Sequence, residues 1–252
     1  MPQSEARIIH GDCRYVLPTL SRMFDCAICD PPYGETSLAW DRWPDGWPAL
    51  VLPVLKTSGS MWVFGSFRMF MDRWSEFSGW RYVQEVVWEK HNGTNMANDR
   101  FRRVHELAVQ FVPATSLWGD VFKEPQFTND ATARTVRHKR RPAQWGDIGP
   151  APFYKSEDGG PRLARSVLQV RSEHSRAIHP TQKPIGIVEP LIRFSCPLGG
   201  HIIDPFSGSG TVGVIAKRLG MDATLIEAKL EFAASSTRRI EDDAPLFAEV
   251  SA

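Results

Sequence analysis

The chain has 252 residues, 42% of them hydrophobic, and a formal net charge of +1, which allows one α/β domain with an insertion, or two small domains, and leaves its partners to be read from local charge. No apolar run reaches the roughly 18 residues of a membrane span, and the first residues lack the charged-then-apolar plan of a secretory leader. Four cysteines make no disulfide framework at this length, so a reduced cytosol is the expected setting.

In chain order, Arg7 to His10 reads as a strand, Val16 to Met23 as a helix and Asp25 to Cys29 as a buried strand. Cys26 and Cys29 stand three apart in that strand and so face opposite sides of a sheet. This spacing, with no second suitable Cys/His pair, argues against a zinc or redox site. The strand runs into Asp30-Pro31-Pro32-Tyr33. The prolines donate no ladder hydrogen bond, and Pro31 disfavours the helical region for Asp30. The result is a rigid corner holding a carboxylate, a carbonyl and a flat ring. It lies at the carboxyl end of a strand, where open α/β sheets bind ligands.

A Trp-rich loop follows, with Trp40, Trp43 and Trp47, which could clamp a ligand or pack in the core, at least one of them being expected in the core. A helix is predicted over Ala49 to Leu55, a strand at Met61 to Phe64, a helix over Arg68 to Phe77, and strands at Tyr82 to Glu89 and His105 to Val112. Between Pro113 and Ala177 the rhythm breaks. This irregular stretch carries a basic run with no acid in it, including Arg134, Arg137, Lys139, Arg140 and Arg141. Such a run can be a solvated surface loop, but its concentration in a near-neutral chain favours contact with DNA phosphates, giving affinity more than sequence choice. Helices are then expected at Val188 to Phe194, Thr211 to Leu219 and Leu230 to Ile240, with strands at Gly200 to Ile203 and Ala223 to Ile226. The alternation predicts a doubly wound, mostly parallel sheet.

Asp204-Pro205-Phe206-Ser207-Gly208-Ser209-Gly210-Thr211-Val212-Gly213 places three glycines between a predicted strand and helix, with Glu227 closing the next strand. That arrangement suits a nucleotide-like cofactor. In the NAD fingerprint the first glycine follows the strand almost at once, whereas here Asp-Pro-Phe-Ser intervenes. The Asp204 carboxylate would repel a pyrophosphate but suits an ammonium, so S-adenosylmethionine fits better. Upstream, His179-Pro180-Thr181-Gln182-Lys183-Pro184 frames a polar triplet, and Lys183 or nearby amides could hold a carboxylate.

With its DPPY, HPTQKP and DPFSGSGT motifs in this order, the chain resembles the amino-methylating DNA methyltransferases of the permuted β class over nearly its full length. The resemblance implies a circularly permuted Rossmann-like methyltransferase core. Residues 1–113 would form the catalytic half, 114–176 a target-recognition segment, 177–241 the cofactor half and 242–252 a tail. It implies Asp30, Pro31, Pro32 and Tyr33 as catalytic, with Asp30 and the Pro31 carbonyl accepting the amino hydrogens of a flipped base and Tyr33 stacking on it. Asp12 would meet the cofactor's adenine, and Thr181, Gln182 and Lys183 its carboxylate. Asp204 and Phe206 to Thr211, through Ser207, Gly208, Ser209 and Gly210, would wrap its methionine part, and Glu227 would take the ribose. Trp88-x-Lys90 and His105-Glu106 look like the family's strand pair beyond the catalytic region. Pro205 before Phe206 is a familiar variant, whereas Glu227 lacks the usual following aspartate and has Lys229 nearby.

The expected substrate is double-stranded DNA, with no metal, no membrane, a homodimer by resemblance, and a bacterial or phage-infected cytoplasm. Asp at the head of the corner favours N6 of adenine, and N4 of cytosine is the alternative. An NAD-dependent oxidoreductase would leave the corner and the basic run unexplained. A non-catalytic DNA-binding protein would explain the basic run alone.

Overall fold

The structure, a computed structural model, describes residues 4–21, 23–93, 99–137, 153–173 and 181–243. The first half runs β1 (Ala6–His10), α1 (Cys13–Val16), β2 (Phe24–Cys29), α2 (Trp47–Val51), β3 (Leu55–Gly65), α3 (Phe67–Arg73), β4 (Trp80–Glu89) and β5 (His105–Pro113). Short strands follow: β6 (Phe127–Thr128), β7 (Arg134–Arg137), β8 (Phe153–Ser156), β9 (Arg162–Leu163) and β10 (Val167–Gln169). The alternation resumes with α4 (Ile185–Ser195), β11 (His201–Asp204), α5 (Thr211–Leu219), β12 (Asp222–Glu227) and α6 (Leu230–Asp242).

The main sheet has eight strands in the order β1-β12-β11-β2-β3-β5-β4-β10. Its pairings are parallel except where β5 meets β3 and β4. Every residue of β2 is buried, as expected of a central strand covered on both faces. Its side chains alternate between two cores: Phe24, Ala27 and Cys29 join one with Trp47 and Phe111, while Cys26 and Ile28 join the other with Ile187 and Ile215. Cys26 and Cys29 therefore point to opposite faces, and both are free thiols. Among the described residues, no group of three or more His, Cys, Asp or Glu could hold a metal, and no helix is long and apolar enough to cross a membrane.

Several boundaries differ from the sequence expectation, and proline accounts for the clearest. The helix expected at Val16 to Met23 is the single turn α1 followed by a 3₁₀ turn, Leu17–Thr19. Pro18 lacks the N–H that would have bonded the Arg14 carbonyl. Likewise α2 ends at Val51, because Pro53 cannot donate back to Ala49, and Leu55 instead opens β3. The helix expected over Arg68 to Phe77 is α3 plus a 3₁₀ turn, Trp74–Phe77. Trp47 is fully buried against Trp43, Phe77 and Phe206.

The chain divides into two compact units, Met1–Glu124 with Ser166–Ala252, and Pro125–Arg165. The smaller unit is narrower than the 114–176 segment expected: Ser166 onward returns to the larger unit, where β10 pairs in parallel with β4. Within the smaller unit, β6 pairs with β9 and β7 with β8, both antiparallel. Arg162 holds Asp130 through two hydrogen bonds of 2.7 and 2.6 Å.

Candidate active site

The site follows from one adjacency. β2 and β11 are parallel neighbours, with Ile202 opposite Cys26 and Ile203 opposite Ala27. Asp30 comes directly after β2 and Asp204 ends β11, so both carboxyl groups emerge at the same edge of the sheet. Asp204 is only 5% exposed. Burial, reinforced by Asp30 and Glu227, pushes its carboxyl up to about 8 against the single backbone N–H it accepts from Phe206 at 2.9 Å. A carboxyl held this way binds its proton near neutral pH and gives it up when a cation arrives.

The glycine loop is pinned from beneath. The Ser207 N–H donates to the Ile226 carbonyl and the Gly208 N–H to Glu227 Oε2, both at 2.9 Å. Glu227 Oε1 accepts the Lys229 N–H at 2.9 Å. Burial raises the Glu227 carboxyl, opposed by these amides and the Lys229 charge. Gly210 caps α5 in the left-handed region at φ 72°, where a Cβ would lie 3.0 Å from Ser236 Cβ. Arg239 donates to the Ser209 carbonyl at 2.9 Å and Ser236 to that of Gly208 at 2.6 Å, so α6 holds the loop's outer side. Ser207 Oγ is buried with no hydrogen-bond partner among the described residues, a group that a ligand would satisfy.

Beside the loop lies a buried charge network. Lys183 Nζ donates to both oxygens of Asp30 at 2.7 Å and lies 3.5 Å from Glu106 Oε2. Lys90 pairs with the other oxygen, Glu106 Oε1. The Tyr33 hydroxyl donates to Asp30 Oδ1 at 2.9 Å. Burial raises the Asp30 carboxyl and prevails over the opposing Lys183 charge. For Glu106, burial is outweighed by Lys183 and Lys90, which hold it below the usual glutamate value. Burial also opposes the Lys183 ammonium, yet Asp30 and Glu106 outweigh it and keep it firmly charged. Burial, then Asp30, lifts the Tyr33 phenol well above its ordinary value.

A cavity of about 760 Å³ gathers these groups. Asp30, Pro31, Pro32, Tyr33, Asp12, Thr181, Gln182, Lys183, Asp204, Phe206, Ser207, Gly208, Ser209, Thr211 and Glu227 line it, and Gly210 is not among its lining residues. Three of these groups have protein partners. Lys183 is committed to Asp30 and Glu106, because a buried ammonium pairs with the nearest buried carboxylates. The Tyr33 hydroxyl is committed to Asp30. Asp12 caps α1 and is paired with Arg14 at 2.6 Å, and that hydrogen bond holds its carboxyl below the usual range.

Of the basic run, Arg134 is exposed in β7, the backbone of Arg137 ends that strand, and Lys139, Arg140 and Arg141 lie outside the described residues, as do His179 and Pro180. Sequence reasoning did not single out Arg239 or Asp41 as site residues. Buried Asp41 accepts the Gly34 and Thr36 N–H groups at 2.9 and 2.7 Å and so fastens the loop after Tyr33. An acid a few residues beyond a Gly-containing turn was the one local signal available for it.

A DNA methylase family profile matches residues 24–238. The chain belongs to the DNA methylase family. That family makes it an S-adenosylmethionine-dependent DNA methyltransferase. It is 25% identical to the type II methyltransferase M.HinfI of Haemophilus influenzae, over 94% of this chain and 69% of that protein. It is 30% identical to the type II methyltransferase M2.DpnII of Streptococcus pneumoniae, over 77% of this chain and 65% of that protein. This DNA methylase thus spans about two thirds of each relative's length. Its fold is similar to that of the M1.HpyAVI–SAM complex, with TM-score 0.61, 22% identity, and coverage of 93% of this chain and 99% of that one.

Proposed function

We propose that this methyltransferase moves the methyl group of S-adenosylmethionine to the exocyclic N6 of adenine in double-stranded DNA, acting on a base flipped out of the helix. The observation that carries the reading is that the Asp30–Tyr33 corner and the glycine loop, 174 residues apart in the chain from Asp30 to Asp204, line one cavity on adjacent parallel strands. The residues present fit the cofactor. Asp204 suits its ammonium, Glu227 its ribose hydroxyls, and Ser207 Oγ is a buried hydroxyl without a partner among the described residues. When bound, S-adenosylmethionine supplies an activated methyl group on a sulfonium.

The chain's own residues would do the rest. Asp30 and the Pro31 carbonyl would accept the two amino hydrogens and so fix the direction of the nitrogen lone pair. Tyr33 and Pro32 would hold the ring plane. Alignment of this kind can contribute several kcal/mol, and Asp30 would also stabilise positive charge growing on nitrogen. The nitrogen attacks directly, so no covalent enzyme intermediate is needed. The smaller unit, Pro125–Arg165, would carry target recognition, with the basic run from Arg134 onward on phosphates. A homodimer is supported by Phe67, Met71 and Trp74, an exposed apolar stripe at helical spacing that begins on α3.

The test is methyl-labelled S-adenosylmethionine with unmethylated DNA, digestion to nucleosides and identification of the labelled base. Label in N6-methyladenine is expected; label in N4-methylcytosine would reject adenine, and no label on any DNA would reject the activity. Asp30→Ala should lower kcat at least about 100-fold while cofactor binding persists.

A further inference from the structure

The Asp30 carboxylate that would receive the target amine is already heavily engaged. Lys183 takes a position on each of its oxygens and Tyr33 a second on Oδ1. With about two lone-pair directions per carboxylate oxygen, Oδ1 is filled and Oδ2 keeps one. On the other side of the same ammonium, Glu106 Oε2 is buried, makes no hydrogen bond among the described residues and is held by Lys183 Nζ only as an ion pair at 3.5 Å. An unmet buried acceptor beside a doubly bonded donor is an unfavourable arrangement that a small displacement would relieve. Closing 3.5 Å to a charge-assisted hydrogen bond of about 2.8 Å moves Nζ by only about 0.7 Å.

We propose that Lys183 is a shared ammonium that hands over from Asp30 to Glu106 as the target amine enters, making Glu106 the positioning residue that frees Asp30. The inference rests on the assignment of Asp30 to the amine. Its physical basis is conservation of paired charge. Asp30 and Glu106 face Lys183 and Lys90, so the cluster is neutral before and after the shift, and no buried ion is stranded. A lysine suits the task because its ammonium is a point charge with three rotatable donors on a flexible stem. The main chain need not move: the Lys183 carbonyl accepts Thr211 Oγ1 at 3.1 Å, which ties it to the first turn of α5. The exchange involves hydrogen bonds only, with no covalent step.

The test compares kcat against pH for the wild type, Glu106→Gln, Glu106→Asp and Lys183→Gln, at saturating DNA and S-adenosylmethionine. The groups facing the cluster are Lys90 directly after β4, Tyr33 after β2 with Glu35 beyond it, and Asp204 on β11, and all are retained in every variant. In Glu106→Gln, kcat should fall about 10- to 100-fold, the loss expected of one charged hydrogen bond, with cofactor affinity unchanged. The acid limb of kcat should move in opposite directions: down in Glu106→Gln, because the Glu106 charge raises the Asp30 carboxyl, and up in Lys183→Gln, because the ammonium lowers it. Glu106→Asp should keep the wild-type limb and recover part of kcat. Removing the Glu106 charge shifts the limb by itself, so the loss of kcat in Glu106→Gln and its partial recovery in Glu106→Asp carry the hand-over. Limbs that stay put or move together, or wild-type kcat in Glu106→Gln, would overturn the inference while leaving the methyltransferase assignment intact. A wild type that labels no DNA would overturn that assignment, and the inference with it.

Discussion

Asp204→Asn should abolish the dependence of cofactor binding on pH. The Asp204 carboxyl, raised by burial to about 8, is about 1% ionised at pH 6 and about 9% at pH 7. Only the ionised form pairs with an ammonium, so wild-type affinity for S-adenosylmethionine should rise close to tenfold between these pH values, about 1.4 kcal/mol. Close to one proton should be released per cofactor bound. The window stays below pH ~7.5, because the cofactor's own α-amine begins to lose its proton near pH 8. Asparagine keeps an oxygen for the Phe206 N–H but carries no charge. Relative to fully ionised aspartate its affinity should drop about 10- to 100-fold and stay flat from pH 6 to pH 7, which puts it at or above the mostly protonated wild type at pH 6 and between about equal to and tenfold below it at pH 7. Isothermal titration calorimetry in buffers of different ionisation enthalpy measures both quantities. A wild-type affinity that does not change over this range, without proton release, would refute the assignment of Asp204 to the ammonium. The stability of the cofactor-free protein gives a second check. A carboxyl raised in the folded state contributes stability that is fully present below its ordinary value of 3.8 and lost as pH rises through about 8. Asp204→Asn should therefore raise Tm more at pH 8 than at pH 5.

Trp47→Ala removes a fully buried ring packed on Trp43, Phe77 and Phe206; urea unfolding should show a loss of about 3–5 kcal/mol. Gly210→Ala forces a side chain into the left-handed region against Ser236. It should cost about 1–2 kcal/mol in thermal unfolding and weaken cofactor binding by disturbing the start of α5. Arg134→Ala, in an exposed position, should reduce the slope of log affinity for duplex DNA against log salt by about 0.9, uniformly across DNA sequences.

Local chemistry was legible wherever it is written in consecutive residues. α5 runs from Thr211 to Leu219 as its periodicity and glycine cap require, and α6 and β12 agree with expectation to within two residues at each end. The Asp-Pro-Pro-Tyr corner ends a strand because prolines cannot continue a ladder. Prolines 18 and 53 carried a similar signal, and their missing donors account for the shortened helices. β10 left little trace, since three residues are too few to show a period.

The pairing of distant groups came from the fold alone. That Asp30 and Asp204 share an edge depends on β2 lying beside β11, a choice made by hydrophobic faces packing across the whole sheet. Glu106 read only as a resemblance to a strand pair. Its meeting with Lys183 and Lys90 required β4, β5 and the segment before α4 to converge. A side chain's type states which charge it can carry. Burial and neighbours, set by long-range packing, decide whether that charge is kept, as on Lys183, or given up near neutral pH, as on Asp204.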